Sequence, residues 1–198
     1  VIARAHEKGG RDCGAIIAHL ATYGCRPVDA CRLRVRDFNA VAGTLTLGAA
    51  AGRRLKNGGK ATHPLLPVHV ELYRTLISDR APDEPLFLSH ACDAWAVGKS
   101  AGQLLDWYTA NVSEHLLPRP QWGLYCLKDY AISTMDRDGI DDRTKALFTG
   151  HRSLAVFERY KTTNQERAGA ALDRMRPAGE RATDPTAPAL RPDGRTSD

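Results

Sequence analysis

Two basic segments of the chain have residue types and settings that suit phosphate binding. Arg26 stands between an apolar segment that stops at Gly24 and a second helix that Pro27 is suited to begin. We therefore expect Arg26 beside the positive N-terminal end of a helix, where phosphates bind. A second group of cations, which includes Lys56 and Lys60, lies in a turn rich in glycine and lysine. The setting of Arg26 therefore favours a ligand that carries phosphate.

The charge of the whole chain permits a polyanionic partner without requiring one. The 198 residues carry a formal net charge of +5. Many proteins of unrelated function are mildly basic, and a solvated basic surface explains the same value. Composition alone therefore favours nucleic acid only slightly over other partners.

Four segments, taken in order and with their spacing, resemble the tyrosine recombinase (phage integrase) family. Residues 23–29 are similar to the family's Gly-x-Arg-x-x-Glu box, with aspartate where glutamate is usual. Residues 55–58 resemble the segment that carries the lysine of the family's β-hairpin. Residues 125–128 stand at the position of the His-x-x-Arg box. Residues 149–160 are similar to Leu-Gly-His followed by the nucleophilic tyrosine. The resemblance covers residues 10–165.

The resemblance implies a reaction and a set of residues that carry it. Tyr160 would attack a DNA phosphodiester and form a covalent 3′-phosphotyrosine, which conserves the bond energy without ATP, cofactor or metal. Arg26 would neutralise the non-bridging oxygens with two parallel hydrogen bonds. Lys56, with Lys60 as its competitor, would protonate the departing 5′ hydroxyl. His151 would donate a hydrogen bond or move a proton.

The third box departs from the family's pattern. The family has histidine and arginine there, whereas this chain has Tyr125 and Lys128. Lysine keeps the charge but loses the bidentate fork, and such a loss costs on the order of 10²–10³ in rate. Tyr125 donates a hydrogen bond but cannot act as a base near neutral pH. We include both residues in the predicted site, because the other members of the site persist.

Each site residue also has an ordinary structural explanation. Tyr160 lies in a polar segment where a lone tyrosine is usually amphipathic surface. Arg26 is three residues from Asp29 and could simply form a salt bridge with it. Lys56 belongs to a charged turn whose side chains are normally solvated, and His151 could satisfy backbone donors at a helix N-terminus. The combination of four boxes, rather than any one residue, supports the family.

Two functions of different class follow from the resemblance. In the first, the chain is a DNA strand-exchange enzyme, a site-specific recombinase or integrase that cuts and rejoins DNA. In the second, it is a catalytically degenerate relative that binds DNA or other protomers. A type IB topoisomerase ranks lower, because the box spacing and the short Gly-His motif resemble integrases. No Rossmann fingerprint, P-loop or GxSxG elbow occurs in the sequence.

The cysteines and the hydropathy exclude other classes of protein. Five cysteines contain no CxxC pair, so neither a zinc site nor a disulfide framework is expected. Reduced intracellular thiols, mostly buried, are the expected state. No apolar run approaches the roughly 18 residues that span a bilayer, and no secretory signal opens the chain.

The pattern of apolar residues predicts a mainly α fold with a small antiparallel β-sheet, an α+β arrangement that agrees with the catalytic-domain fold of the family. Apolar residues share one face of a helix over 12–23, and valines and leucines do so over 68–78. Two strands flank the basic turn. The predicted helices are 12–23, a helix from Pro27, 68–78, 93–110, 124–137, 141–148 and 164–176; the predicted strands are 45–47 and 61–66, with 85–88 extended and 116–122 a loop.

The resemblance also implies an organisation and partners. We expect a catalytic domain over 1–176 and a disordered tail over 177–198, with the family's upstream core-binding domain outside this chain, which begins at Val1. Double-stranded DNA is the expected partner, gripped through phosphates, with no membrane involved. The family acts as a tetramer, in which 164–176 would dock on a neighbouring protomer, although the chain alone could be monomeric. The expected location is the cytoplasm of a bacterium, at its DNA.

Overall fold

Helices form most of the regular structure in the computed structural model, which describes residues 1–48, 60–98, 100–116, 123–151 and 153–160. Three short strands in the described ranges pair as an antiparallel sheet in chain order. This arrangement confirms the predicted fold class. The elements are α1 (Ile2–Tyr23), α2 (Pro27–Cys31), β1 (Phe38–Asn39), β2 (Thr44–Leu47), β3 (Ala61–Pro64), α3 (Pro67–Leu76), α4 (Gly102–Tyr108), α5 (Glu114–Leu116), α6 (Cys126–Arg137) and α7 (Asp142–Thr149), with a π turn at Thr109–Ser113 and 3-10 turns at Val35–Asp37 and Leu154–Tyr160.

Helix α1 lies at the centre of the fold. It packs against α2, α3 and α6, and its predicted apolar face is buried at Cys13, Ile16, Ile17 and Leu20. The helix begins ten residues earlier than predicted, with a kink at Gly10, where φ is 73° and ψ is −170°. It ends where the sequence predicted, because Gly24 adopts the left-handed conformation and its N–H caps the carbonyl of Leu20.

The predicted hairpin is present, and it carries the basic turn between β2 and β3. The two strands pair in antiparallel register from Thr44↔Pro64 to Leu47↔Ala61. Strand β3 ends at Pro64 rather than at residue 66, and β1 was not predicted because two residues give no periodicity. The predicted catalytic lysine, Lys56, lies outside the described residues.

Helix α3 is where the sequence predicted it, but it buries a different face. Val68, predicted to face the core, is 67% exposed, so that prediction is wrong. The buried residues are His69, Tyr73 and Leu76, while Leu72 is partly buried. Polar rings replace the expected aliphatic stripe because they find hydrogen-bond partners on α1.

The helix predicted over 93–110 begins only at Gly102, so its first part was wrong. The preceding segment is held extended by a bridge between Leu88 and Ala94 and by a hydrogen bond from Ser89 to Asp93. Trp95 anchors this segment, since its ring is buried against that of Trp107. Tertiary packing of this tryptophan therefore outweighs the local preference for a helix.

Helices α6 and α7 agree with the predicted segments 124–137 and 141–148 within two residues. Asp141 caps α7 by accepting from the backbone N–H groups of Arg143 and Thr144. Gly150 closes it in the left-handed conformation, with φ at 67°. None of the helices within the described ranges is long and apolar enough to cross a membrane.

A cluster of buried rings connects α1, β3 and α3. The Nδ1 atom of His19 lies 2.8 Å from the hydroxyl of Tyr73, and the Nδ1 atom of His69 lies 2.7 Å from the hydroxyl of Tyr23. His63 of β3 lies between them, 5.0 Å from the ring of Tyr23 and 6.1 Å from that of His19. We call His19, His63 and His69 the histidine cluster. Burial lowers the pKa of all three, so they are neutral at pH 7.

The histidine cluster predicts that acid destabilises the protein. Below about pH 6.5 an unfolded histidine takes up a proton that the buried ring refuses, so the free energy of unfolding falls as the pH falls, by up to about 1.4 kcal/mol per pH unit for each ring. Urea unfolding between pH 7 and 5 measures this slope. The substitution His63→Phe is expected to reduce it, and substitution of the exposed His6 to glutamine is the control. A wild-type stability that is flat with pH would contradict the prediction.

Candidate active site

Arg26 lies at the start of α2 with part of its guanidinium unsatisfied. The residue is the N-cap of the helix in extended conformation, and Pro27 occupies the first helical position, as predicted. Its side chain is 20% exposed, and its Nη1 atom lies 3.9 Å from Oδ2 of Asp29, beyond hydrogen-bonding distance. Nη1 is buried and has no hydrogen-bond partner among the described residues. A buried donor without a partner costs about 1–3 kcal/mol, so the salt bridge to Asp29 alone does not explain this side chain.

Lys128 lies in the first turn of α6 and shares its electrostatic environment with Arg26. Burial, together with the guanidinium of Arg26, lowers the pKa of Lys128 to about 8, against the opposing charges of Asp29 and Asp129. Burial raises the pKa of Asp29, and the cations Arg26, Arg32 and Lys128 oppose that rise. The structure therefore brings two predicted site cations together around one buried carboxylate.

Helix α1 approaches α6 and α7 closely at Gly24. This places the segment that carries Arg26 near Thr149, the first residue of the box at residues 149–160. A Cβ atom on Gly24 would lie 3.1 Å from Cβ of Ala131 in α6 and 3.2 Å from Cγ2 of Thr149 at the end of α7. It would also lie 3.5 Å from the carbonyl oxygen of Lys128. The end of α1 thus approaches both α6 and α7. Gly24 lies two residues before Arg26, and Thr149 lies two residues before His151.

A hydrogen-bond relay orients the ring of His151. The hydroxyl of Thr149 donates to the carbonyl of Lys145 at 2.8 Å. Its single proton is used there, so it accepts from Nδ1–H of His151, also at 2.8 Å. The proton on Nδ1 makes Nε2 the basic nitrogen of the neutral ring. Sequence reasoning missed Thr149; a hydroxyl two residues before the histidine is the signal that could have identified it.

Tyr125, the other predicted member of the third box, has a different environment. Its side chain is 52% exposed, and it lines a cavity of about 1160 Å³ that Asp129 and Tyr130 also line. Among the described lining residues, neither the two cations of the site nor His151 occurs. The side chain of Tyr125 is therefore open to solvent at this cavity.

The remaining predicted residues are described in part. Tyr160 is the last residue of the 3-10 turn Leu154–Tyr160, and the structure describes its backbone. Phe157 anchors the turn, since it is fully buried with its ring centroid 5.3 Å from that of His151. The turn therefore begins beside the histidine and leads to the predicted nucleophile. Lys60, the competitor of Lys56, is exposed just before β3.

Comparison with known proteins identifies the family. A model of the phage integrase family matches residues 8–167 of the sequence. The chain belongs to the phage integrase family. The comparison with curated proteins found no match.

Solved structures of integrases and recombinases share the fold of this phage integrase family member. XerA recombinase matches with a TM-score of 0.66 at 16% identity, over 89% of this chain and 63% of that chain. XerH recombinase bound to difH substrate matches with a TM-score of 0.64 at 17% identity, over 86% of this chain and 50% of that chain. The catalytic domain of bacteriophage HP1 integrase matches with a TM-score of 0.61 at 17% identity, over 92% of both chains. The chain thus has the tyrosine recombinase catalytic-domain fold and spans less than two thirds of the length of XerA and XerH.

The contact at Gly24 can be tested against a matched glycine. Gly24 and Gly43 have similar positive φ values of 63° and 61°, but only the first is crowded, since a Cβ on Gly43 would meet Cγ2 of Val70 at 3.6 Å. We expect Gly43→Ala to lower the free energy of unfolding by about 1 kcal/mol, because alanine is strained at a positive φ. We expect Gly24→Ala to lower it by about 2 kcal/mol, because overpacking against Ala131 and Thr149 adds to the same strain. Urea unfolding measures both, and equal losses would show that the contact is not tight.

Proposed function

We propose that the chain is the catalytic domain of a site-specific DNA recombinase or integrase that breaks and rejoins DNA through a 3′-phosphotyrosine on Tyr160. The observation that carries the proposal is the buried, unsatisfied Nη1 of Arg26 beside the half-buried Lys128. Membership of the phage integrase family supports the same reaction.

The electrostatics of the two cations favour a phosphate ligand. Arg26 lowers the pKa of Lys128, so each cation disfavours the charge of the other while the site is empty. A phosphodiester between them supplies negative charge and acceptor oxygens for the unsatisfied guanidinium nitrogen. The same positive field stabilises the phenolate of an attacking tyrosine and the extra charge of the pentacoordinate transition state.

His151 and the hairpin lysine complete the proposed reaction. With Nδ1–H held by Thr149, Nε2 of His151 accepts a proton when the ring is neutral and donates one to the phosphate when the ring is protonated. Lys56, or Lys60 in its place, protonates the 5′ hydroxyl that leaves. Tyr125 contributes a hydrogen bond to the DNA from the edge of the site.

The proposed partners are double-stranded DNA and further copies of the same protein. XerH is bound to difH substrate in its solved complex, and the integrase of transposon Tn1549 is in complex with transposon right end DNA in its own; we propose DNA as the ligand of this chain. A tetramer on two duplexes, with residues 164–176 docked on a neighbour, remains the proposed assembly, and the cytoplasm remains the proposed location. The docking segment lies outside the described residues.

A second candidate function is DNA binding without cleavage. Two observations favour it. Tyr125 stands where the family has histidine. Lys128 stands where the family has arginine, lacks its bidentate fork and has a lowered pKa. Both functions predict DNA binding, so covalent chemistry at Tyr160 separates them.

Covalent capture of DNA tests the nucleophile. The probe is a pool of nicked duplexes with randomised sequence around the nick, so that cleavage releases a short fragment and traps the protein on the DNA. We expect a slower-migrating species on a denaturing gel with the wild type and with the control Tyr130→Phe, a substitution of an exposed tyrosine on α6. The species is expected to be lost in Tyr160→Phe. Retention of DNA by the wild type with no covalent species would instead establish the binding function.

The charge on Lys128 predicts a pH dependence that arginine removes. In the free protein Lys128 loses its proton above about pH 8, whereas arginine remains charged. At subsaturating protein concentrations the pH dependence of the cleavage rate reports the ionisation of the DNA-free protein. Under these conditions the ratio of the Lys128→Arg rate to the wild-type rate is expected to rise about tenfold per pH unit above about pH 8. The ratio cancels any pH dependence that both proteins share. A ratio that stays constant from neutral to alkaline pH would show that this charge is not required.

A further inference from the structure

A buried lysine outside the predicted site connects the elements that carry the site residues. Lys145 of α7 is 1% exposed, and its Nζ lies 2.9 Å from Oδ1 of Asp136 in α6 and 2.7 Å from Oδ1 of Asp142 in α7. Burial lowers the pKa of Lys145, but the hydrogen bonds to the two carboxylates outweigh burial, so the ammonium stays charged.

The ammonium also contacts the turn that leads to Tyr160. Its Nζ lies over the ring of Phe157, 5.4 Å from the ring centroid. Phe157 is fully buried and lies three residues before Tyr160. A desolvated cation over an aromatic ring is attracted by the face of the ring, so this contact holds the turn at one place on α7.

The backbone of Lys145 supports His151 through a second route. Its carbonyl accepts the Thr149 hydroxyl proton, and this hydroxyl accepts Nδ1–H of His151. The ring of His151 in turn stands nearly perpendicular to that of Phe157, at an interplanar angle of 86°. One residue therefore contacts the supports of both the histidine and the tyrosine.

A buried ion pair at this place does not by itself stabilise the fold, although loss of the ammonium alone leaves two carboxylates without their cation and is destabilising. Replacing a buried ion pair with apolar residues of similar volume is often neutral or stabilising, since desolvation offsets the attraction. Directional bonds differ from apolar packing in that they fix one relative position of the groups they join. Here they join α6, which carries Lys128, to α7 and to the turn.

We propose that Lys145 is a positioning residue, whose ammonium fixes the turn that carries Tyr160 relative to α6 and, through the ring of Phe157, the ring of His151. The proposal rests on the proposed function where it names Tyr160 as the nucleophile. Displacement of a reacting group by about 1 Å lowers rates by about 100-fold, so the effect is expected in the cleavage step rather than in DNA binding.

The experiment compares Lys145→Met with a matched control, Arg80→Met. Arg80 forms a bidentate pair with Asp12 at 2.8–2.9 Å, and Asp12 lies twelve residues before Gly24, or roughly 18 Å along α1. For each variant we measure single-turnover cleavage at saturating protein, the Kd for the same captured DNA, and urea unfolding. We expect Lys145→Met to cleave about 100-fold more slowly with a Kd within about threefold of wild type. Arg80→Met is expected to cleave at the wild-type rate. Equal losses in both variants, or a loss confined to Kd, would overturn the proposal.

Two further measurements separate this proposal from the proposed function. If Lys145 acts through Phe157, the double variant Lys145→Met with Phe157→Leu is expected to cleave DNA no more slowly than the slower of the two single variants. A rate loss in the double variant equal to the product of the two single losses would overturn the inference. Hydrogen exchange of residues 153–160 requires no activity. It is expected to be faster in Lys145→Met and unchanged in Arg80→Met, and unchanged exchange in both overturns the inference. If the wild type forms no covalent species, the proposed function fails, and the exchange result alone decides the role of Lys145.

Discussion

Gly24 leaves little room for a side chain beside α6 and the end of α7, and the candidate site lies around this close approach of three elements. A methyl group at this position would crowd Ala131 and Thr149, and the left-handed backbone would strain it. Arg26 follows the glycine by two residues, Lys128 is on the helix it touches, and His151 follows Thr149 by two residues. A residue without a side chain at position 24 therefore lets the helices that carry Lys128 and Thr149 lie close to the segment that carries Arg26.

The site combines features that do not favour stability. Two cations share one partly buried carboxylate, and a guanidinium donor is left without a partner in the described structure. Such arrangements are found where a protein is built for a ligand rather than for its own stability. The histidine cluster and the apolar face of α1 supply the opposing stability, on the side of the domain formed by α1, β3 and α3.

Local sequence signals predicted the parts of the fold that local chemistry determines. Gly24 and Gly150 end their helices, and Pro27 begins one, because backbone conformation is an intrinsic property of these residues. The prediction failed where distant contacts decide. Val68 is exposed because His69 and Tyr73 bond to α1. Of the candidate site, the proximity of Arg26 and Lys128 agrees with the spacing of their boxes. The hydroxyl that orients His151 and the cation over the ring of Phe157 depend on tertiary contacts that no spacing reveals.

Two of the three helices that meet at Gly24, α1 and α7, do so with their carboxyl ends. Aligned peptide dipoles place about half a negative charge at such an end and half a positive charge at an amino end. Arg26 and Lys128 stand at amino ends, as the N-cap of α2 and in the first turn of α6. The carboxylate of Asp29 interacts with both cations, yet Nη1 of Arg26 keeps no hydrogen-bond partner among the described residues. The backbone therefore adds to the positive field of the two side chains, and this field favours an anionic group such as phosphate.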